Sequence, residues 1–81
     1  IQSYDEAIRL NPQWADAYYY RGATYLELGQ YRLAIQSYDE AIRLDPEYAT
    51  AYYNRGNAFE ALGNSIKAEQ DFAKAKELGY P

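Results

Sequence analysis

Residues 1–10 read IQSYDEAIRL, and residues 35–44 read IQSYDEAIRL again. The offset of 34 persists beyond this string. It aligns Asn11-Pro12 with Asp45-Pro46, Trp14 with Tyr48, and Ala15-Asp16-Ala17-Tyr18-Tyr19 with Ala49-Thr50-Ala51-Tyr52-Tyr53. It also aligns Arg21-Gly22 with Arg55-Gly56, Leu28-Gly29 with Leu62-Gly63, Ala34 with Ala68, Tyr38 with Phe72 and Ala41 with Ala75. A fixed period of this length marks an array of supersecondary units, none of which buries its apolar face alone. The chain is therefore expected to be a repeat array.

Each period reads as helix–turn–helix. Tyr18, Gly22, Tyr25 and Leu28 or Gly29 fall at spacings of three and four, one helical face. Gly29 suits the left-handed residue just past a helix end. Ala34, Ile35, Tyr38, Ala41 and Ile42 form a second helical face, and Asp45-Pro46 stops that helix because a residue before Pro avoids the α region. The pattern predicts five helices, over 1–10, 14–28, 31–44, 48–62 and 65–78. Gly22 and Gly56 would sit in mid-helix, where Gly costs about 1 kcal/mol relative to Ala. A close helix–helix approach would offset that cost. Ala34, Ala41, Ala68 and Ala75 are expected on the inner face, with Tyr25, Tyr38, Phe59 and Phe72 filling the space beside them.

Composition removes several function classes. The chain has 81 residues, with neither Cys nor His, so disulfides, Cys/His zinc sites and His-activated nucleophiles are absent. No cofactor or metal site is expected, and no enzyme. A net charge of −4 opposes binding to a nucleic-acid backbone. No apolar run is long enough to span a membrane. The chain opens on Ile1 rather than Met, which reads as a piece of a longer protein. Missing cysteine leaves the compartment open. Eleven tyrosines and 48% hydrophobic residues are ample for a core.

The repeated residues resemble the tetratricopeptide repeat. Residues 15–48 carry Tyr18, Arg21-Gly22, Tyr25, Ala34, Tyr38, Ala41 and Pro46; residues 49–81 carry Tyr52, Arg55-Gly56, Phe59, Ala68, Phe72 and Ala75. Arg21 and Arg55 stand where the family usually has Leu, and a structural role between repeats is expected for them. Residues 1–14 supply the second helix of a truncated repeat and its closing Pro12. Residues 49–81 look terminal, because Ile35 and Ile42 give way to Glu69 and Lys76, making the last helix more polar. The resemblance implies an all-α, right-handed α-solenoid of antiparallel helix pairs, and a non-catalytic scaffold whose partner is a protein or peptide.

It also implies that the first helix of each pair lines a concave groove. The groove positions are Asp16, Tyr19, Tyr20, Ala23 and Glu27 on one helix, and Thr50, Tyr53, Asn54, Asn57 and Glu60 on the next. Tyr rings offer contact area and Asn amides offer hydrogen bonds to a peptide backbone. The competing reading is that Tyr19 and Tyr53 pack within the array and that Asn54 and Asn57 are simply solvated. One subtype of the family clamps a C-terminal carboxylate with Lys, Arg and Asn. Asn54 and Asn57 match that set, but Asp16, Tyr19, Tyr20, Thr50, Tyr53 and Asn54 include no cation, so no such clamp is expected.

Asp5-Glu6 and Asp39-Glu40 point about 100° apart on a helix and read as solvated pairs. Asp5 with Arg9, Asp39 with Arg43 and Glu40 with Arg43 have ion-pair spacing. The first helix lacks a partner of its own, so a face of Tyr4, Ala7 and Ile8 would be partly bare. Homo-oligomer formation, by stacking repeat ends or exchanging helices through the Gly29 or Gly63 turns, is the alternative to peptide binding.

Overall fold

Two kinds of punctuation divide the chain. The first is glycine at a positive φ: Gly29 at 76° and Gly63 at 83°. Each closes its helix with the same pair of backbone hydrogen bonds. The Gly29 N–H donates to the Leu26 carbonyl at 3.1 Å and Gln30 N–H to the Tyr25 carbonyl at 2.9 Å; Gly63 and Asn64 repeat this on Glu60 and Phe59 at 3.0 and 2.9 Å. The second is the Asn-Pro or Asp-Pro turn. The Asn11 side chain accepts from the Gln13 N–H at 3.3 Å and Asp45 from the Glu47 N–H at 3.2 Å. The hydroxyls of Tyr18 and Tyr52 then donate to the carbonyls of Pro12 and Pro46, both at 3.2 Å.

Between these stops, a computed structural model describes residues 2–81. They form five helices: α1 Gln2–Leu10, α2 Ala15–Glu27, α3 Tyr31–Leu44, α4 Ala49–Ala61 and α5 Ser65–Glu77. Ile1, which the sequence counts into the first helix and the first repeat, lies outside the described residues. The helices match the predicted ones to within a residue or two at each end. α2 packs on α3 and α4 on α5, α3 joins the two pairs by packing on α4, and α1 leans on α2. The architecture is all-α, in stacked helix pairs.

The core is built largely from small residues. Ala17, Ala34, Ala41, Ala51, Ala58, Ala68 and Ala75 are all at most 2% exposed. They let the backbones approach closely, and a few rings fill what is left. Tyr38 is fully buried, and its ring stands where a side chain at Gly22 would be: an added Cβ would lie 2.7 Å from Tyr38 Cε1. Phe72 stands against Gly56 at the same 2.7 Å. The mid-helix glycines are thus explained by close approach, as expected. Tyr25, Phe59 and Phe72 are half-buried rather than enclosed.

Arg21 and Arg55 tie three helices together. Arg21 donates from Nε to the buried Ser37 hydroxyl at 3.0 Å and from Nη1 to Asp5 at 2.8 Å. Arg55 donates to Asp71 through Nε at 2.9 Å and Nη2 at 2.8 Å, and to Asp39 at 2.9 Å. Each guanidinium also lies 5.4 Å from the ring centre of the tyrosine three residues earlier, Tyr18 or Tyr52. This corrects two expected pairs. Asp5 and Asp39 bind the arginine of the next helix rather than Arg9 and Arg43, because a guanidinium fixed between helices is already in place to receive them. Arg9 pairs instead with Glu6, and Arg43 with Glu40 as expected. At the corresponding position α5 has Ala73, so it offers no carboxylate to a following arginine.

Candidate functional site

The candidate face is formed by α2 and α4, which touch each other directly. Its first half is a tyrosine cluster. Tyr19 lies 5.4 Å from Tyr20 edge-on, 5.8 Å from Tyr38, and 5.0 Å from Tyr48 in a stacked arrangement. Tyr20 also stacks with Tyr4 at 6.2 Å. These rings sit together because α2, which carries the adjacent Tyr19 and Tyr20, packs between α1 with Tyr4 and α3 with Tyr38, and the Pro46 turn delivers Tyr48 to the same place.

Polar groups lock the cluster across the repeat boundary. Asn54 Nδ2 donates to the Tyr19 hydroxyl at 2.8 Å, and the Tyr48 hydroxyl donates to Asp16 at 2.7 Å. Burial, then the bond to Asp16, holds the Tyr48 hydroxyl well above its usual ionisation range. Burial likewise raises Tyr38, helped by the negative charges Tyr19 and Glu27 would present. The Tyr38 hydroxyl is buried with no hydrogen-bond partner.

The ten groove positions fall into two groups. Tyr19 packs against the core and Asn54 is bonded to it, so both serve the array. Tyr53 lies between Phe72 at 5.5 Å and Tyr80 at 4.4 Å, beside a cavity of about 470 Å³ that Lys76 and Pro81 also line. Asp16, Tyr20, Glu27 and Glu60 are exposed, Tyr20 by 49%, while Ala23, Thr50 and Asn57 are half-buried. Asn57 reaches Asn54 only at 3.5 Å. Arg21 and Arg55 face away into their ion pairs.

Tyr48 and Tyr80 were not among the predicted site residues. Both come from turns, where helical spacing says nothing. The 34-residue offset from Trp14 to Tyr48 was the available signal for an aromatic at this point. On the predicted end face Tyr4, Ala7 and Ile8 are half-buried; Ile8 packs against the core cluster, and Tyr4 lies against Tyr20.

Two family models match the chain, one described as TPR repeat over residues 1–29 and 22–63, the other as Tetratricopeptide repeat over 49–78. Solved structures agree. MamA is 36% identical with a TM-score of 0.92, over 95% of this chain and 45% of its own. The Arabidopsis OM64 TPR domain is 38% identical with a TM-score of 0.92, over 94% and 63%. YrrB, described as a TPR protein with an unusual peptide-binding site, is 30% identical with a TM-score of 0.89, over 94% and 39%. The chain thus spans less than half of MamA and of YrrB. No curated protein sequence matches it.

Proposed function

The chain belongs to the tetratricopeptide repeat family, a family of protein–protein interaction modules, and from that premise we propose that the α2/α4 face binds an extended peptide of a partner protein without catalysis. One observation carries this reading. Exposed Tyr20 and half-buried Asn57 remain on a face whose neighbours, Tyr19, Asn54 and Tyr48, are locked by hydrogen bonds across the repeat boundary. A rigid bed on which Tyr20, although it touches Tyr4 and Tyr19, is still 49% exposed, and Asn57 is held only by a long bond to Asn54, gives a peptide both contact area and backbone hydrogen bonds at little ordering cost. YrrB, of the same fold, is described as having a peptide-binding site. A carboxylate clamp is disfavoured, because the two arginines of these helices are held by Asp5, Asp39 and Asp71.

The test is affinity selection of peptides, followed by Tyr20→Ala and Asn57→Ala. Both variants should weaken binding; Asn57→Ala should leave the thermal melt nearly unchanged, while Tyr20→Ala also gives up its contacts with Tyr4 and Tyr19 and should lower the melt slightly. Unaltered binding in both would refute the face. Tyr53→Ala and Asn54→Ala are poorer probes, since the first opens the packing against Phe72 and Tyr80 and the second removes the hydrogen bond to Tyr19.

Self-assembly is a second reading, with its own observation. The helix sequence of α1 is identical to residues 36–44, yet Tyr4 and Ala7 are half-buried where Tyr38 and Ala41 are fully enclosed. A molar mass of one chain across a wide concentration range would remove it.

A further inference from the structure

The charges of this molecule are unevenly satisfied. Among the described residues Arg9, Arg21, Arg43, Arg55 and Lys74 are all in ion pairs. Of the other three cations, Lys67 lies 5.5 Å from the Phe59 ring centre, and Arg32 on α3 and Lys76 on α5 make no ion pair among the described residues. Six carboxylates have no such partner among the described residues. Three of these, Asp16 and Glu27 of α2 and Glu60 of α4, are exposed and stand at the groove positions that the repeat spacing assigns, and Asp16 makes only a hydrogen bond to Tyr48. No unpaired cation lies on α2 or α4; Lys76 of α5 bounds the face at the Tyr53 end.

Helix ends sharpen the imbalance. α1, α3 and α5 each carry a basic residue in the last turn, where it favours the helix carbonyls. α2 and α4 carry none there and instead end near Glu27 and Glu60. A carboxylate at a helix C-terminus is disfavoured by the carbonyl ends beside it. The arrangement occurs in both full repeats. A cation brought from outside would relieve it at both places.

The same molecule shows how it holds a cation. Arg21 is paired with Asp5 at 2.8 Å while lying 5.4 Å from the Tyr18 ring centre. Arg55 repeats this with Asp39 and Tyr52. On the α2/α4 face, exposed Tyr20 lies on one helical stripe with Asp16 and Glu27, at spacings of four and seven. The stripe thus sets an aromatic ring between two carboxylates, neither of which is in an ion pair with Arg21, the cation of α2.

We propose that the peptide taken by this face is basic, with an arginine or lysine laid on Tyr20 and others paired with Asp16, Glu27 and Glu60. The proposal rests on the peptide-binding reading above and adds the chemistry of the partner. Arginine suits the site better than lysine, because its planar group both stacks and pairs.

The experiment measures fluorescence anisotropy of three labelled Gly-Ser peptides, carrying several arginines, the same number of citrullines, or the same number of glutamates. The arginine peptide should bind tightest and weaken as salt rises from about 50 to about 200 mM. Replacing Glu27→Gln and Glu60→Gln together should weaken it about fivefold. Asp45→Asn with Glu69→Gln removes the same charge away from the face and should leave binding unchanged. Absent binding of the arginine peptide, citrulline binding as tight, or equal losses in the two double variants would each overturn the proposal. If another of the peptides binds and Tyr20→Ala abolishes it, the face stands and only its preference for basic partners falls. If Tyr20→Ala and Asn57→Ala change the binding of none, the face falls as well.

Discussion

Arg55 grips Asp71 with two parallel hydrogen bonds of 2.9 and 2.8 Å, where Arg21, one repeat earlier, finds only the neutral Ser37 hydroxyl. The Asp71 side chain is 7% exposed and that of Arg55 20%. Removing the arginine therefore strands a carboxylate in a low-dielectric place, which is far costlier than losing an exposed pair. Arg55→Leu should destabilise the fold by about 3 kcal/mol, and Arg21→Leu by about 1 kcal/mol. Urea unfolding of the two variants side by side checks the difference. Equal losses would mean that the buried carboxylate finds another partner.

The glycines facing aromatic rings have no room to spare. Gly22→Ala and Gly56→Ala would improve helix propensity by about 1 kcal/mol. Each new Cβ, however, would come within 2.7 Å of a ring carbon of Tyr38 or Phe72. At Gly56 the Ala68 carbonyl is also only 3.1 Å away, and backbone does not yield cheaply. A net loss of about 1 kcal/mol or more is expected for both, read as a lowered melting temperature.

The hydroxyl of Tyr38 makes no hydrogen bond to the rest of the chain. It is buried and unbonded, while Phe72 occupies the corresponding place without one. Tyr38→Phe should stabilise the protein by about 1 kcal/mol, since an unmatched buried donor is removed and the ring is kept. A lower melting temperature would show that the hydroxyl has a partner in solution.

Alkali should unfold the protein through its tyrosines. Burial raises both Tyr38 and Tyr48, and the bond to Asp16 adds to the second. The unfolded chain releases these protons near pH 10, whereas the fold retains them. Their stabilising contribution is thus complete below about pH 10 and declines as pH rises above it. Urea midpoints at pH 8 and pH 11 should differ clearly, and Tyr38→Phe should narrow the gap. An unchanged gap would assign the decline to other groups.

How much of this was written in the sequence depends on the direction a residue acts. Gly29, Gly63, Pro12 and Pro46 act on their own backbone, so helix limits followed from their positions. Gly22 and the buried alanines act on a partner helix at a fixed register, and the 34-residue period supplied that register. The ion pairs were harder to foresee. Spacing along one helix suggests Asp5 with Arg9, but the chosen partner, Arg21, stands on the next helix. The candidate face was legible as a set of positions and less so as a set of roles. Tyr53 and Tyr19 are half-claimed by Tyr80 and Tyr48, which come from turns that no helical period reaches.

The duplicated string supplies a further use. α1 and residues 36–44 of α3 share every side chain, and Asp5 and Asp39 even bind equivalent arginines. They differ in surroundings, since α3 packs on helices at two sides and α1 only on α2. Amide exchange in the two copies therefore compares one sequence in two contexts, with intrinsic propensity cancelled. The difference in protection is a direct reading of nearest-neighbour coupling, the quantity that makes a linear array behave as one cooperative body.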